Sequence, residues 1–428
     1  MKRQKILFLT PRFPYPLVGG DKIKSYYLLR HLAAHHDVVL VSLYEGKQLP
    51  AQYRSALEQL GIRVFWIPYL AWKAWTKAVI RIPTPTAADI ACFYDPAMQR
   101  IVDRLVAQEH FDVAMAFFIR TAEYVKHLPM PKILLAEDCR TLYQTRSYQH
   151  SKSHLFHHIG RWLEVQKLRR YEAEIVNYFD IVTLVSKVDI EAMQKLNPHA
   201  RYRLLINGVD VSNIPFRDEQ QRRKDLIFIG KLDVWANVLM IKRLVQNILP
   251  KIWAKHPEVK LRIVGAYPPR ILYRYLSDRV QLLPNVPKVE DFLYQAAVFL
   301  HPHSGGSGIQ NKLLLAMATG CPIITTPTGN QGIGARHQQH AMVGESDEEL
   351  AAYAIQLLES PQLRSALVRN ARRYVEKYFA WENVYRQMDS VLAEVLPDAA
   401  TKVETPELAT VNGNAVPLIA SSVPEGIQ

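Results

Sequence analysis

Sulfur chemistry has little place in this chain. Its 428 residues include three cysteines, Cys92, Cys139 and Cys321, widely separated and never in a CxxC pair. That spacing argues against a disulfide framework or a zinc site and for free thiols in a reducing cytoplasm. No run of about 18 uncharged apolar residues occurs, so a spanning helix is not expected. The first residues, MKRQKILFLTPRF, begin like a signal peptide, but the apolar core from Ile6 to Leu9 is short and leads into Pro11 and Arg12. They read better as a first buried strand. The sequence has no GxSxG, no paired histidine context for a cysteine nucleophile and no GxxxxGK[ST]. Gly306-Ser307-Gly308 lacks the third glycine of a dinucleotide fingerprint. These absences count against a serine hydrolase, a P-loop ATPase and a typical dehydrogenase. Zinc-finger spacing, an RNP-like motif and a long basic arm are missing too. The net charge of +13 therefore points away from nucleic acid and towards phosphate-bearing ligands or an anionic membrane surface.

What is present is a repeated α/β pattern, in a chain long enough for two domains. Lys5–Thr10 is an apolar run of strand length. The turn PRFPYPLVGGDK, a helical pattern over Ile23–Ala34 and a second strand at Val38–Leu43 complete a βαβ unit. Strands follow at Arg63–Ile67, Val113–Phe117, Ile133–Ala136 and Ile181–Ser186. The pattern restarts at Asp225–Gly230 and continues through Leu261–Val264, Val280–Leu283, Val298–His301 and Pro322–Thr326. The expected fold is α/β, with two Rossmann-like doubly wound domains facing across a cleft. The first spans 1–210, a charged linker 211–224, the second 225–378, and a packed terminal helix 379–396. The sparse aromatics and scattered prolines of 397–428 predict a disordered tail.

Residues 301–332, HPHSGGSGIQNKLLLAMATGCPIITTPTGNQG, centre the second domain. A strand, a glycine loop, a helix start and another strand bring free backbone N–H groups and a positive helix end together, the usual means of holding phosphate. Gly19-Gly20 and Gly230-Lys231 fall at matching strand ends, so all three loops should face one cleft. Lys231 and Lys312 supply cations for a diphosphate, although each alone is equally a solvated surface charge. Gly19-Gly20 alone is equally an ordinary flexible turn. Two other segments carry double readings. Tyr69–Pro83 puts Trp72 and Trp75 on one helix side and Lys73, Lys77 and Arg81 on another. It suits a membrane interface or a plain surface helix. Ser151–Ile175 is a basic helix in which His154 and His158 lie one turn apart. No third ligand is evident, so a solvated face is expected and no metal.

Four stretches carry a family resemblance: PYPLVGGDKIKSYYLLRHL, INGVD at 206–210, IFIGKLDVWANV at 227–238, and GIQNKLLLAMATGCPII at 308–324, with TTPTGNQGI following. The chain resembles retaining glycosyltransferases of the group 1 family, which have the GT-B fold. It is similar in particular to bacterial sugar transferases associated with exopolysaccharide loci. The resemblance implies that Gly19 and Gly20 line the cleft against a donor diphosphate, with Lys231, after Gly230, on the phosphate oxygens. It implies that Gly308, Ile309, Gln310 and Asn311, with Lys312, cradle the nucleotide sugar, and that Asn285, Val286 and Pro287 lie near the base. Lys231 and Lys312 would carry the catalysis. The nucleotide-diphosphate sugar would be a co-substrate with no other cofactor and no metal. The acceptor would be a glycan or lipid-linked, and the setting the cytoplasm, at the inner face of the membrane or free of it.

Several positions depart from the family. Leu315 stands where a ribose-gripping glutamate belongs, Ser307 and Gln331 where acids are frequent, and AFFIRTAEY (116–124) lacks a histidine many relatives carry. Unpaired ribose hydroxyls would cost roughly 1–3 kcal/mol each. Glu137 and Asp138, at a strand end, suit acceptor positioning or a helix cap. Two functions follow: an active transferase building cell-surface polysaccharide or glycolipid, or a non-catalytic relative serving as a scaffold in a glycan-assembly complex. An epimerase would need acid and base groups that the sequence does not identify.

Overall fold

The computed structural model describes residues 3–70, 72, 76, 84–149, 155–218 and 224–396. Most of the Tyr69–Pro83 segment, His154, residues 219–223 of the linker and the tail from 397 lie outside the described residues.

The first sheet has seven parallel strands: β1 (Lys5–Thr10), β2 (Asp37–Tyr44), β3 (Arg63–Pro68), β4 (Val113–Phe117), β5 (Lys132–Glu137), β6 (Ile181–Leu184) and β7 (Tyr202–Leu204). Their order is β3-β2-β1-β4-β5-β6-β7. The second has six parallel strands: β8 (Asp225–Ile229), β9 (Leu261–Gly265), β10 (Val280–Pro284), β11 (Ala296–His301), β12 (Ile323–Thr325) and β13 (Met342–Val343), in the order β10-β9-β8-β11-β12-β13. Both orders reverse beside the first strand of the sheet, between β1 and β4 and between β8 and β11. That reversal opens a crevice at the carboxyl ends of the strands, where such sheets bind ligands. Near-continuous apolar strands are what a parallel sheet covered on both faces requires. In β1 the alternation is visible, with Ile6 and Phe8 in one core cluster and Leu7 and Leu9 in another.

Between the sheets, the backbone from Leu205 to Ile214 is held down. Val209 N–H donates to Phe379 O at 2.8 Å, and Arg372 donates to the carbonyls of Val211, Ile214 and Ala318. The terminal helix, Trp381–Val395, returns to the first domain. Trp381 stacks on Tyr27 at 4.4 Å, and His31 lies 2.7 Å from Asp389 while stacking on Tyr385. Its stripe Val384, Met388, Val391 and Leu392 is buried. No helix among the described residues is long and apolar enough to cross a membrane.

Candidate active site

Two helices start at the crevice, one from each domain. In the first domain, helix Gly20–His35 begins directly at the glycine pair, three residues earlier than the apolar pattern alone predicts. Its N-cap is Gly19, with a φ of 105° that disfavours any side chain. In the second domain, helix Asn311–Thr319 is capped by Gln310 and closed at Gly320 in the left-handed region. No side chain hydrogen-bonds across either N-cap, so both keep unsatisfied N–H groups and the positive end of the helix dipole. The two ends meet. A Cβ on Gly20 would lie 2.4 Å from Asn311 Nδ2, and Asn207, from the INGVD stretch, donates to Asn311 Oδ1 at 2.8 Å. Helix starts of this kind suit an anion, because their unpaired backbone donors and positive dipole ends favour negative charge.

The lysines differ. Lys312 Nζ donates to Asn237 Oδ1 at 2.6 Å and lies 5.5 Å from the Phe228 ring centroid. Burial, with no carboxylate to offset it, pushes its ammonium down to about 7. Lys231 is exposed, 3.4 Å from Asp233 and 5.5 Å from the Tyr267 ring centroid. Asn237 couples the two segments, because its Nδ2 donates to Lys231 O at 2.7 Å. It also packs against Gly230, where a Cβ would lie 3.0 Å from the same amide. Asn285, with φ 53°, sits just after β10, and its N–H donates to Gly265 O at 3.0 Å, with Val286 packed on the core beside it.

The glycine loop before Asn311 faces the first domain. Gly308 N–H donates to Asp189 Oδ2 at 3.1 Å, Ser307 Oγ donates to Asp138 Oδ2 at 2.5 Å, and Arg146 bonds both Gly306 O and Gln331. Asp189 thus occupies one of the cradle's donors here. Burial and the charge of Asp138 push its carboxyl up to about 6. Ser307 thus donates a hydrogen bond to a carboxylate across the domain boundary. Asp138 Oδ1 is buried and makes no hydrogen bond among the described residues. Glu137 has φ 72° and is buried against Lys24, with Nζ 2.8 Å from Oε1. Burial outweighs that cation and pushes the carboxyl up to about 7. Lys24 also donates to Leu205 O at 2.7 Å, so the Gly20–His35 helix is tied to the end of β5 through Glu137 and to the chain just after β7 through Leu205. Leu315 is partly buried, packed against the core one turn beyond Asn311. Ile309 is buried in that core too.

The structure therefore gathers Gly19, Gly20, Gly308, Asn311 and Lys312 around one crevice, with Gly230 and Lys231 tied to it through Asn237. Asn207, Asn237, Asp189 and Tyr267 join the site without having been singled out. The first two lay inside the motif stretches. Asp189 and Tyr267 carried no local signal. No group of three or more His, Cys, Asp or Glu among the described residues is placed to hold a metal.

Residues 223–360 match the family model for glycosyl transferases group 1. Over 421 residues the chain is 26% identical to a GDP-mannose-dependent monoacylated alpha-(1-6)-phosphatidylinositol monomannoside mannosyltransferase of Corynebacterium glutamicum, covering 91% of this chain and 98% of that one. Among solved structures it is similar to sucrose-phosphate synthase from Thermosynechococcus elongatus (TM-score 0.70, 16% identity, 92% and 100% covered). It is also similar to Anabaena Alr3699/HepE in complex with UDP and glucose (TM-score 0.64, 16% identity, 92% and 100% covered). The chain thus has the GT-B fold, and residues 223–360 are similar to the group 1 glycosyltransferases. Glycosyltransferase is accordingly the class that the fold and the matches support.

Proposed function

We propose that the chain moves a sugar from a nucleotide-diphosphate donor to a hydroxyl of a glycan or lipid-linked acceptor, with retention, in cell-surface polysaccharide or glycolipid assembly. The carrying observation is the meeting of the two uncapped helix starts at Gly20 and Asn311, with Lys312 on the second. As the bond between the anomeric carbon and the diphosphate breaks, negative charge builds on the leaving oxygens. Fixed N–H donors and a nearby ammonium stabilise that charge without reorganising. The acceptor oxygen forms the new glycosidic bond on the face the diphosphate leaves, and its proton departs with the leaving group. The net charge of +13 favours docking at an anionic membrane from the cytoplasmic side, in keeping with a relative named for a phosphatidylinositol mannoside substrate.

GDP-mannose and UDP-glucose are the donors to test first, because they follow the names of the relative and the neighbour. Incubation with each, plus a membrane extract as acceptor source, should release GDP or UDP. No release from any sugar nucleotide would remove the enzymatic reading. Leu315 motivates the second reading, a binding protein without turnover. Leu315→Glu restores an acceptor for ribose hydroxyls and should tighten nucleotide binding about tenfold by calorimetry, while the native chain still binds. Binding by Leu315→Glu alone would favour the non-catalytic reading.

A further inference from the structure

Tyr267 is a bulky residue in a costly position. It follows β9 with φ 58°, in the left-handed region, and its side chain is 60% exposed. A non-glycine residue pays roughly 1–2 kcal/mol for that backbone, and burying the ring would be the common way to recover it. Here the strain instead presents an aromatic face at the carboxyl edge of the donor domain's sheet. The surroundings fix that presentation. Tyr267 N–H donates to Asn285 Oδ1 at 3.3 Å, and Asn285 is itself left-handed at φ 53°. Asn285 N–H donates to Gly265 O at 3.0 Å, and Leu232 N–H donates to Ala266 O at 2.8 Å. The ends of β8, β9 and β10 are thus laced together on both sides of the tyrosine. Lys231 Nζ sits 5.5 Å from the ring centroid, so a cation and an aromatic face share one spot.

We infer that Tyr267 is a stacking platform for the base of the nucleotide donor, with Asn285 fixing its loop and Lys231 beside it, reaching the attached phosphate. This rests on the donor reading above. Stacking on one face accepts any base, so the tyrosine supplies affinity and leaves the choice of base to the polar edge of Asn285 and its neighbours. Ile271, Tyr273 and Leu276 are also exposed on the turn that follows. Only Tyr267 combines left-handed strain, a lock to a second strand end and a cation.

Calorimetric titration with UDP, GDP, ADP and inorganic diphosphate tests this. Against whichever nucleotide the native chain binds best, Tyr267→Ala should weaken binding on the order of tenfold while leaving inorganic diphosphate unchanged. Tyr267→Phe should bind like the native chain, which also separates stacking from the hydroxyl. Native-like nucleotide binding by Tyr267→Ala overturns the platform and leaves the donor reading intact. Equal weakening of nucleotide and diphosphate also overturns it, because the ring would then only position Lys231. Failure of the native chain to bind any nucleotide overturns both.

Discussion

Lys312→Met should lower sugar transfer by about 10²–10³-fold without unfolding the protein. The ammonium sits at the start of a helix whose N-cap, Gln310, makes no side-chain capping hydrogen bond. Among the described residues its hydrogen-bonding partner is the neutral Asn237, and burial brings its pKa to about 7. A stored, partly desolvated cation is costly in the free protein, and methionine of similar length relieves that cost. The variant should therefore melt at the native temperature or slightly above while turnover collapses. A purely structural lysine would show the opposite pairing. The pH dependence carries the same signature. The unfolded chain keeps this proton to about 10.5, whereas the folded chain releases it near 7, so the unfolded state binds more protons between these values. This group thus makes stability rise with pH from about 7 to 10.5, and Lys312→Met should lose that rise. A bound diphosphate favours the charged lysine, so above pH 7 nucleotide binding should take up a proton, and calorimetry in buffers of different ionisation enthalpy would read it.

The second large effect is expected at Gly265. A Cβ there would lie 1.8 Å from Gly230 O, a backbone atom that cannot rotate away. The approach exists because Gly230 N–H donates to Val264 O and Leu232 N–H to Ala266 O, drawing the loop after β8 onto the end of β9. Gly265→Ala must push these strands apart, at a cost of about 3 kcal/mol or more. The shift would also carry Lys231 and Asn237 away from Lys312. Denaturant unfolding should show a lower midpoint, and whatever folded protein remains should bind nucleotide poorly. An unchanged midpoint would mean that the strand ends separate freely, and the rigid edge described above would not exist.

How far these features could be read from the sequence depends on how local their causes are. Eleven strands announced themselves as apolar runs, because strands buried on both faces of a parallel sheet must be apolar along their length. The two missed ones, β7 and β13, are edge strands of three and two residues, and β7 carries Arg203. So short an edge leaves no run to detect. The glycine loops at the strand ends were legible because glycine before a helix is a local signature. Their occupants were not. Gly308 bonds Asp189 from 119 residues away and Ser307 bonds Asp138 from 169, contacts that only the facing of the two domains creates. Tyr267 was silent because its meaning lies in a backbone angle. Leu315 was legible as a departure from a pattern, and the structure adds that it packs into the core.

The account turns on where the diphosphate sits, and a crystal structure of the full chain with GDP or UDP would show it directly. The prediction is that its oxygens lie about 2.7–3.2 Å from backbone N–H groups at both helix starts, near Gly20 and near Asn311 to Lys312, with Lys312 Nζ turned from Asn237 towards them. A diphosphate bound at one helix start alone, or away from both, would contradict it.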